Sequence, residues 1–231
     1  MTILMILTSN DRLGDTGETT GAWLEEVAAP YYRFRDTGAE VALASPFGGR
    51  APMDPRSEAE EAQTDATRRF AADEAAQRAL ADTRPLSDID PLDYEAVFYP
   101  GGHGPLWDLV DNDHSQHLIR EMIAAGRPVG AVCHGPAALM KVTDIDGTPL
   151  VAERNVTGFA NTEEAAVGLT DAVPFLIESE FIRLGARYTR GPDFAPHVVG
   201  DGLLVTGQNP ASSEPTADRL LAALRESRAA A

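Results

Sequence analysis

Apolar positions change their spacing along this chain in a regular way. Ile3–Leu7 is a short apolar run ended by Thr8-Ser-Asn-Asp11, which predicts a buried strand followed by a loop. A Gly/Thr-rich turn, Gly14–Gly21, leads into helical spacing from about Ala22 to Thr37, with Gly38 as its stop. Pro30 falls inside that stretch and predicts a kink or two helical pieces. Glu40–Ala44 alternates as a second strand, and Ala96–Tyr99 and Pro128–Val132 read as further strands. His114–Ala125 places Leu118, Ile119, Met122 and Ile123 on one helical face, and Pro136–Met140 starts another helix. Asn155–Gly158, Pro174–Leu184, Ala186–Thr189, His197–Val199 and Leu203–Thr206 continue the mixture. Ser212 or Ser213 caps a final helix through about Arg225. Strands alternating with helices predict an α/β fold whose mostly parallel sheet is covered on both faces.

Pro46–Asp90 interrupts that alternation. It is rich in Ala, Glu, Asp and Arg, has few large apolar residues, and carries one helical segment near Thr64–Ala81. The segment is too small for its own core, so it reads as a cap inserted at about 46–90 into one domain spanning 1–231. No apolar run reaches about 18 residues, which excludes a membrane-spanning helix. The amino terminus lacks a basic region and a cleavage site, and so reads as a first strand rather than a signal peptide. A net charge of −17 argues against nucleic-acid partners and against docking on anionic membranes. Lys141 is the single lysine, and the acidic excess reads as genome composition or a salty habitat. One cysteine forms no internal disulfide, which suits a reducing cytoplasm.

That cysteine, Cys133, sits where an apolar strand turns sharply into a helix, in Val129-Gly-Ala-Val-Cys-His-Gly-Pro-Ala-Ala-Leu139. By residue type alone a free cysteine is more often a small buried apolar group than a catalyst. At a helix amino terminus, however, the dipole and free N–H groups favour a thiolate, and Gly135-Pro136 has no evident packing role. Pro100-Gly-Gly-His-Gly104 also ends a strand, on the same rim of a parallel sheet, and its glycines allow backbone N–H groups to approach a substrate. Alone such glycines usually just make turns; beside the cysteine they gain meaning. His114 and His117, three apart on a helix, could touch one metal, but they lack a carboxylate partner, and His197 adds no ligand pattern.

PGGHG paired with AVCHGP, a glutamate on the first helix, Thr157-Gly-Phe159 and the closing Val205-Thr-Gly-Gln-Asn-Pro-Ala211 resemble the ThiJ/PfpI superfamily, within it the glutathione-independent glyoxalase III branch, which includes chaperone-like heat-shock proteins. The resemblance spans nearly the whole chain and implies a flavodoxin-like doubly wound sheet. It implies Cys133 as nucleophile with His134 after it, Glu26 as the carboxyl group beside the sulfur, and Glu164 as the acid that orients the histidine. Glu25 adjoins Glu26 and Glu163 adjoins Glu164, so each assignment is one residue wide. Gly102 and the His134 N–H match the oxyanion hole, with His103 near the substrate. The implied reaction converts methylglyoxal or a related 2-oxoaldehyde to lactate, in a homodimer, with no metal, glutathione or other cofactor. A cysteine peptidase or amidase using the same elbow, and a stress chaperone or oxidant sensor, are the competing readings. A glutaminase-type partnership fits less well, because histidine directly follows the cysteine.

Overall fold

Five of the apolar runs lie side by side in one sheet. The computed structural model describes residues 1–230. Its strands are β1 (Thr2–Ile6), β2 (Glu40–Ser45), β3 (Arg84–Pro85), β4 (Ala96–Tyr99), β5 (Val129–Val132), β6 (Asn155–Val156), β7 (Arg187–Tyr188), β8 (Val198–Asp201) and β9 (Leu204–Gly207). Its helices are α1 (Leu24–Asp36), α2 (Asp65–Ala72), α3 (Glu74–Ala81), α4 (Pro105–Asp108), α5 (Asp113–Ala124), α6 (Asn161–Ala166), α7 (Ile177–Arg183) and α8 (Ser213–Ala230). The main sheet runs β3-β2-β1-β4-β5-β9-β8, while β6 and β7 pair separately. Every neighbouring pair in the main sheet is parallel except β8 with β9. Without the two edge strands the order is second, first, third, fourth, fifth in the chain, which is the flavodoxin-like doubly wound arrangement.

The buried strands are apolar throughout because both faces of the sheet are covered. Successive side chains of a strand point to opposite faces. Leu4, Ile6, Val97, Tyr99, Val129 and Ala131 therefore join one core, with Leu118, Ile119 and Met122 of α5. Ile3, Met5, Ala96, Phe98 and Val132 join the other, with α1 and α8 above them. No helix among the described residues is long and apolar enough to cross a membrane.

Local differences from expectation have physical causes. Pro30 lies within α1, which still runs unbroken, held by packing against α2 and α8. The helical stretch at 64–81 is two helices, because Asp73 breaks it and caps α3 by accepting from the Ala75 and Ala76 N–H groups. Phe70 of α2 packs edge-on against Tyr31 and Tyr32, fastening the 46–90 segment to α1. After Cys133 the chain forms a 3-10 turn, Gly135–Leu139, rather than an α-helix. The last helix passes the expected Arg225 and continues to Ala230.

Candidate active site

Strand order reverses between β1 and β4, and in such sheets the crevice beyond the carboxyl ends of the strands there is where ligands bind. Gly101–Gly104 leaves β4 on that rim, and Cys133 leaves β5 beside it. Cys133 has φ +59°, a left-handed conformation uncommon for a residue with a side chain. Its backbone is tied on both sides: the N–H donates to Gly207 O at 3.0 Å, and the carbonyl accepts from Phe159 N at 3.0 Å. Backbone strain held in place by surrounding bonds is common at functional sites. Gly135 permits the turn, since a Cβ there would lie 2.2 Å from Tyr99 O.

The cysteine begins a hydrogen-bonded series. Its Sγ lies 3.3 Å from His134 Nδ1, and His134 Nε2 lies 2.7 Å from Glu164 Oε2. Glu163, one residue earlier, points elsewhere and accepts from Ala160 N, Phe194 N and Asn209 Nδ2. The adjacent pair is thus divided: Glu164 meets the histidine, and Glu163 ties the loop carrying Phe194. Glu25 and Glu26 divide in the same way. Glu25 accepts from Thr64 Oγ1, the residue that caps α2, at 2.5 Å. Glu26 is fully buried beside the cysteine thiol, and its Oε2 accepts from Gly101 N at 2.7 Å.

The glycines of the PGGHG loop allow these groups to close up. A Cβ on Gly101 would come within 2.6 Å of His134 N and 2.7 Å of Glu26 Oε2. Gly102 has φ +85°, and its backbone N–H opposes the rise of the Cys133 thiol. His103 is buried, with its ring 4.2 Å from that of His134 and its Nε2 2.9 Å from the second oxygen of Glu164. The exposed His114 and His117 lie on α5 and take no part in this cluster.

A model of the DJ-1/PfpI family matches residues 19–223. The chain belongs to the DJ-1/PfpI family. It is 33% identical to the "Glutathione-independent glyoxalase HSP31" of Saccharomyces cerevisiae over 96% of this chain and 98% of that protein. It superposes on the crystal structure of glyoxalase III from Candida albicans with a TM-score of 0.89 and 31% identity, over 96% of this chain and 97% of that one. The Rapid Encystment Protein of 24 kDa from Francisella tularensis is similarly close, with a TM-score of 0.93, 35% identity, and 96% and 98% coverage.

Burial decides the protonation of this DJ-1/PfpI site. It pushes the Glu26 carboxyl up to about 8, against the hydrogen bonds from Cys133 and Gly101, so the group is an acid at neutral pH. Burial also pushes the Cys133 thiol well above its ordinary value, and the charge of Glu26 adds to the rise. The thiolate expected from a helix dipole is opposed here: the following turn is short and 3-10, and the sulfur is buried. Burial lowers His134 to about 4, so it is neutral. Burial acts to raise Glu164, but the imidazoles of His134 and His103 outweigh it and hold the carboxyl well below its ordinary value. Neutral His134 thus donates from Nε2 to Glu164 and offers a lone pair on Nδ1 to the thiol.

A cavity of ≈ 240 Å³ opens onto the sulfur, walled by Trp23, Phe159, Val167, Phe194 and Pro210 and bordered by Arg56 and His103. Sequence reading missed Arg56 and Phe194. Asp54-Pro55 does mark a capped turn, but nothing in an Arg- and Glu-rich stretch tells which arginine faces the site. His103, His134 and Glu164 also lie within 4.8 Å of one another and could hold a metal ion. As they stand, both imidazole donors are satisfied by the one carboxylate, and a cation would displace those protons and occupy His134.

Proposed function

We propose that this protein is a glutathione-independent glyoxalase of the glyoxalase III type, converting methylglyoxal or a related 2-oxoaldehyde to lactate. One observation carries the reading: the sulfur of Cys133 lies between a neutral base, His134 Nδ1 at 3.3 Å, and a buried carboxylic acid, Glu26. A hydrolase needs the first of these groups. Moving a proton between two adjacent carbons also requires the second. The small, apolar-walled cavity favours a short dicarbonyl over an extended peptide.

The chemistry follows from the placement. As Sγ attacks the aldehyde carbon, the thiol proton passes to His134 Nδ1, which returns it to the new hemithioacetal oxygen. Neutral His134 next removes the hydrogen on that carbon. The electron pair forms a carbon–carbon double bond, and the neighbouring ketone oxygen takes a proton from Glu26, giving an enediol. Glu26 then recovers a proton from the hemithioacetal hydroxyl while His134 protonates the second carbon, leaving a lactoyl thioester on Cys133. Water activated by His134 hydrolyses it, releases lactate and restores the thiol. The Gly102 N–H supports the sulfur and adjoining oxygen through these steps. Glu164 keeps His134 in the required tautomer. The reading includes a cytoplasmic setting, which the single cysteine suits, and a homodimer, which rests on family resemblance.

Purified protein given methylglyoxal without glutathione should form lactate, and Cys133→Ala should lower the rate by about 10³-fold or more. Absence of lactate from the intact protein, with amide or peptide turnover that vanishes in Cys133→Ala, would replace this reading with a cysteine hydrolase.

A further inference from the structure

Glu164 accepts from two imidazoles, yet only one of them touches Cys133. The second, His103, is held from its far side: Arg56 Nη2 lies 3.4 Å from His103 Nδ1. Arg56 comes from the inserted 46–90 segment and is itself clamped. Its Nε and Nη2 meet the two oxygens of Asp54 at 2.9 and 2.5 Å, and its backbone N–H also donates to Asp54 at 2.9 Å. Asp54 is fully buried and accepts as well from Thr20 Oγ1 at 2.9 Å, while its N–H donates to Ala22 O at 2.8 Å. The arginine is therefore fixed to the Thr20–Ala22 stretch that leads into α1.

Donor chemistry then orders the protons. A guanidinium only donates, so His103 Nδ1 must accept and its proton must sit on Nε2. His103 Nε2–H donates to Glu164 Oε1, which leaves Oε2 for His134 Nε2–H and leaves His134 Nδ1 bare toward the sulfur. We propose that Arg56 and His103 are positioning residues, which through Glu164 hold His134 in the tautomer that takes the proton of Cys133. Through Arg56 the 46–90 segment thereby supplies part of the proton-ordering chain as well as one border of the cavity. This role rests on the glyoxalase reading only for its effect on turnover; the tautomers and the thiol's reactivity belong to the resting protein.

The test uses the full chain with Arg56→Ala, Arg56→Lys, His103→Ala and His103→Gln. Imidazole nitrogen shifts by NMR should show both His103 and His134 protonated on Nε2 in the parent. In Arg56→Ala, His103 should become a mixture of tautomers. Cys133 is the chain's single cysteine, so iodoacetamide alkylation reports this site alone. Alkylation should slow by about 10-fold in Arg56→Ala and His103→Ala, the lower end of the loss seen when groups that orient a metal-bound histidine are removed. His103→Gln, which retains an N–H donor for Glu164, and Arg56→Lys, which retains the cation, should each recover part of the rate. With methylglyoxal, kcat should fall and KM should hold. Unchanged tautomers and alkylation in both alanine variants, each folded by circular dichroism, would overturn the proposal. So would a raised KM at constant kcat, which would make Arg56 a substrate contact instead. Lack of lactate formation with tautomers that shift as expected would sink the glyoxalase reading and leave the positioning chain standing.

Discussion

At the scale of single residues, the site is governed by how far burial displaces each proton. The proposed mechanism requires neutral His134 and protonated Glu26, so kcat/KM should form a bell with limbs near about 4 and about 8. Glu26→Gln should remove the alkaline limb and lower the plateau. The same groups set opposite slopes in stability. Folded Glu26 holds a proton that the unfolded chain, at its ordinary 4.5, has released. Its contribution is therefore complete below about 4.5 and lost as pH rises toward about 8. Folded His134 refuses a proton that the unfolded chain accepts below 6.5, so its contribution is lost as pH falls toward about 4. Denaturant unfolding of Glu26→Gln should lack the alkaline slope and keep the acid one; an unchanged slope above pH 5 would mean that Glu26 is already ionised in the folded protein.

At the scale of elements, the 46–90 segment stands on one aromatic contact more than any other. Phe70 is fully buried against Tyr31 and Tyr32, and Phe70→Ala should cost about 3–5 kcal/mol in denaturant unfolding. Because the segment shares the core of α1, tryptophan fluorescence and circular dichroism should report one coincident transition; two separated transitions would show that the segment unfolds independently. The strands of the parallel core were legible because Ile3–Leu7, Ala96–Tyr99 and Pro128–Val132 are buried on both faces and apolar in consequence. The elbow was legible because Cys133 and the bare Gly135 stand two positions apart at the end of an apolar strand. What stayed hidden depends on approach across the chain. The break at Asp73 follows from a side chain turning back onto its own backbone, in a stretch where every neighbour favours helix. Arg56 meets His103 across 47 positions, and no local pattern marks that meeting. The two glutamate pairs could be narrowed to neighbours, but only three dimensions show which member of each faces the sulfur or the imidazole.

Across the whole molecule, 36 acidic residues face 19 basic ones. Self-repulsion of a net −17 weakens the compact state at low ionic strength, and the screening length shrinks from about 10 Å at 0.1 M salt to about 3 Å at 1 M. The thermal midpoint should therefore rise from low to molar sodium chloride. A flat or falling midpoint would leave the acidity as composition without an energetic role. The borders of the main sheet bear on how copies of the molecule can meet. One border is the two-residue β3, which ends in Pro85, a residue with no N–H to offer a newcomer. The other is the antiparallel β8, where the side chain of Asp201 is occupied by the N–H groups of Asn155. Neither is a long, flat, unpaired rim of the kind that recruits a foreign strand. Fusing the sheets of two copies into one is therefore disfavoured, self-association should use helices or loops, and the same short edges guard a crowded solution of this protein against fibre growth.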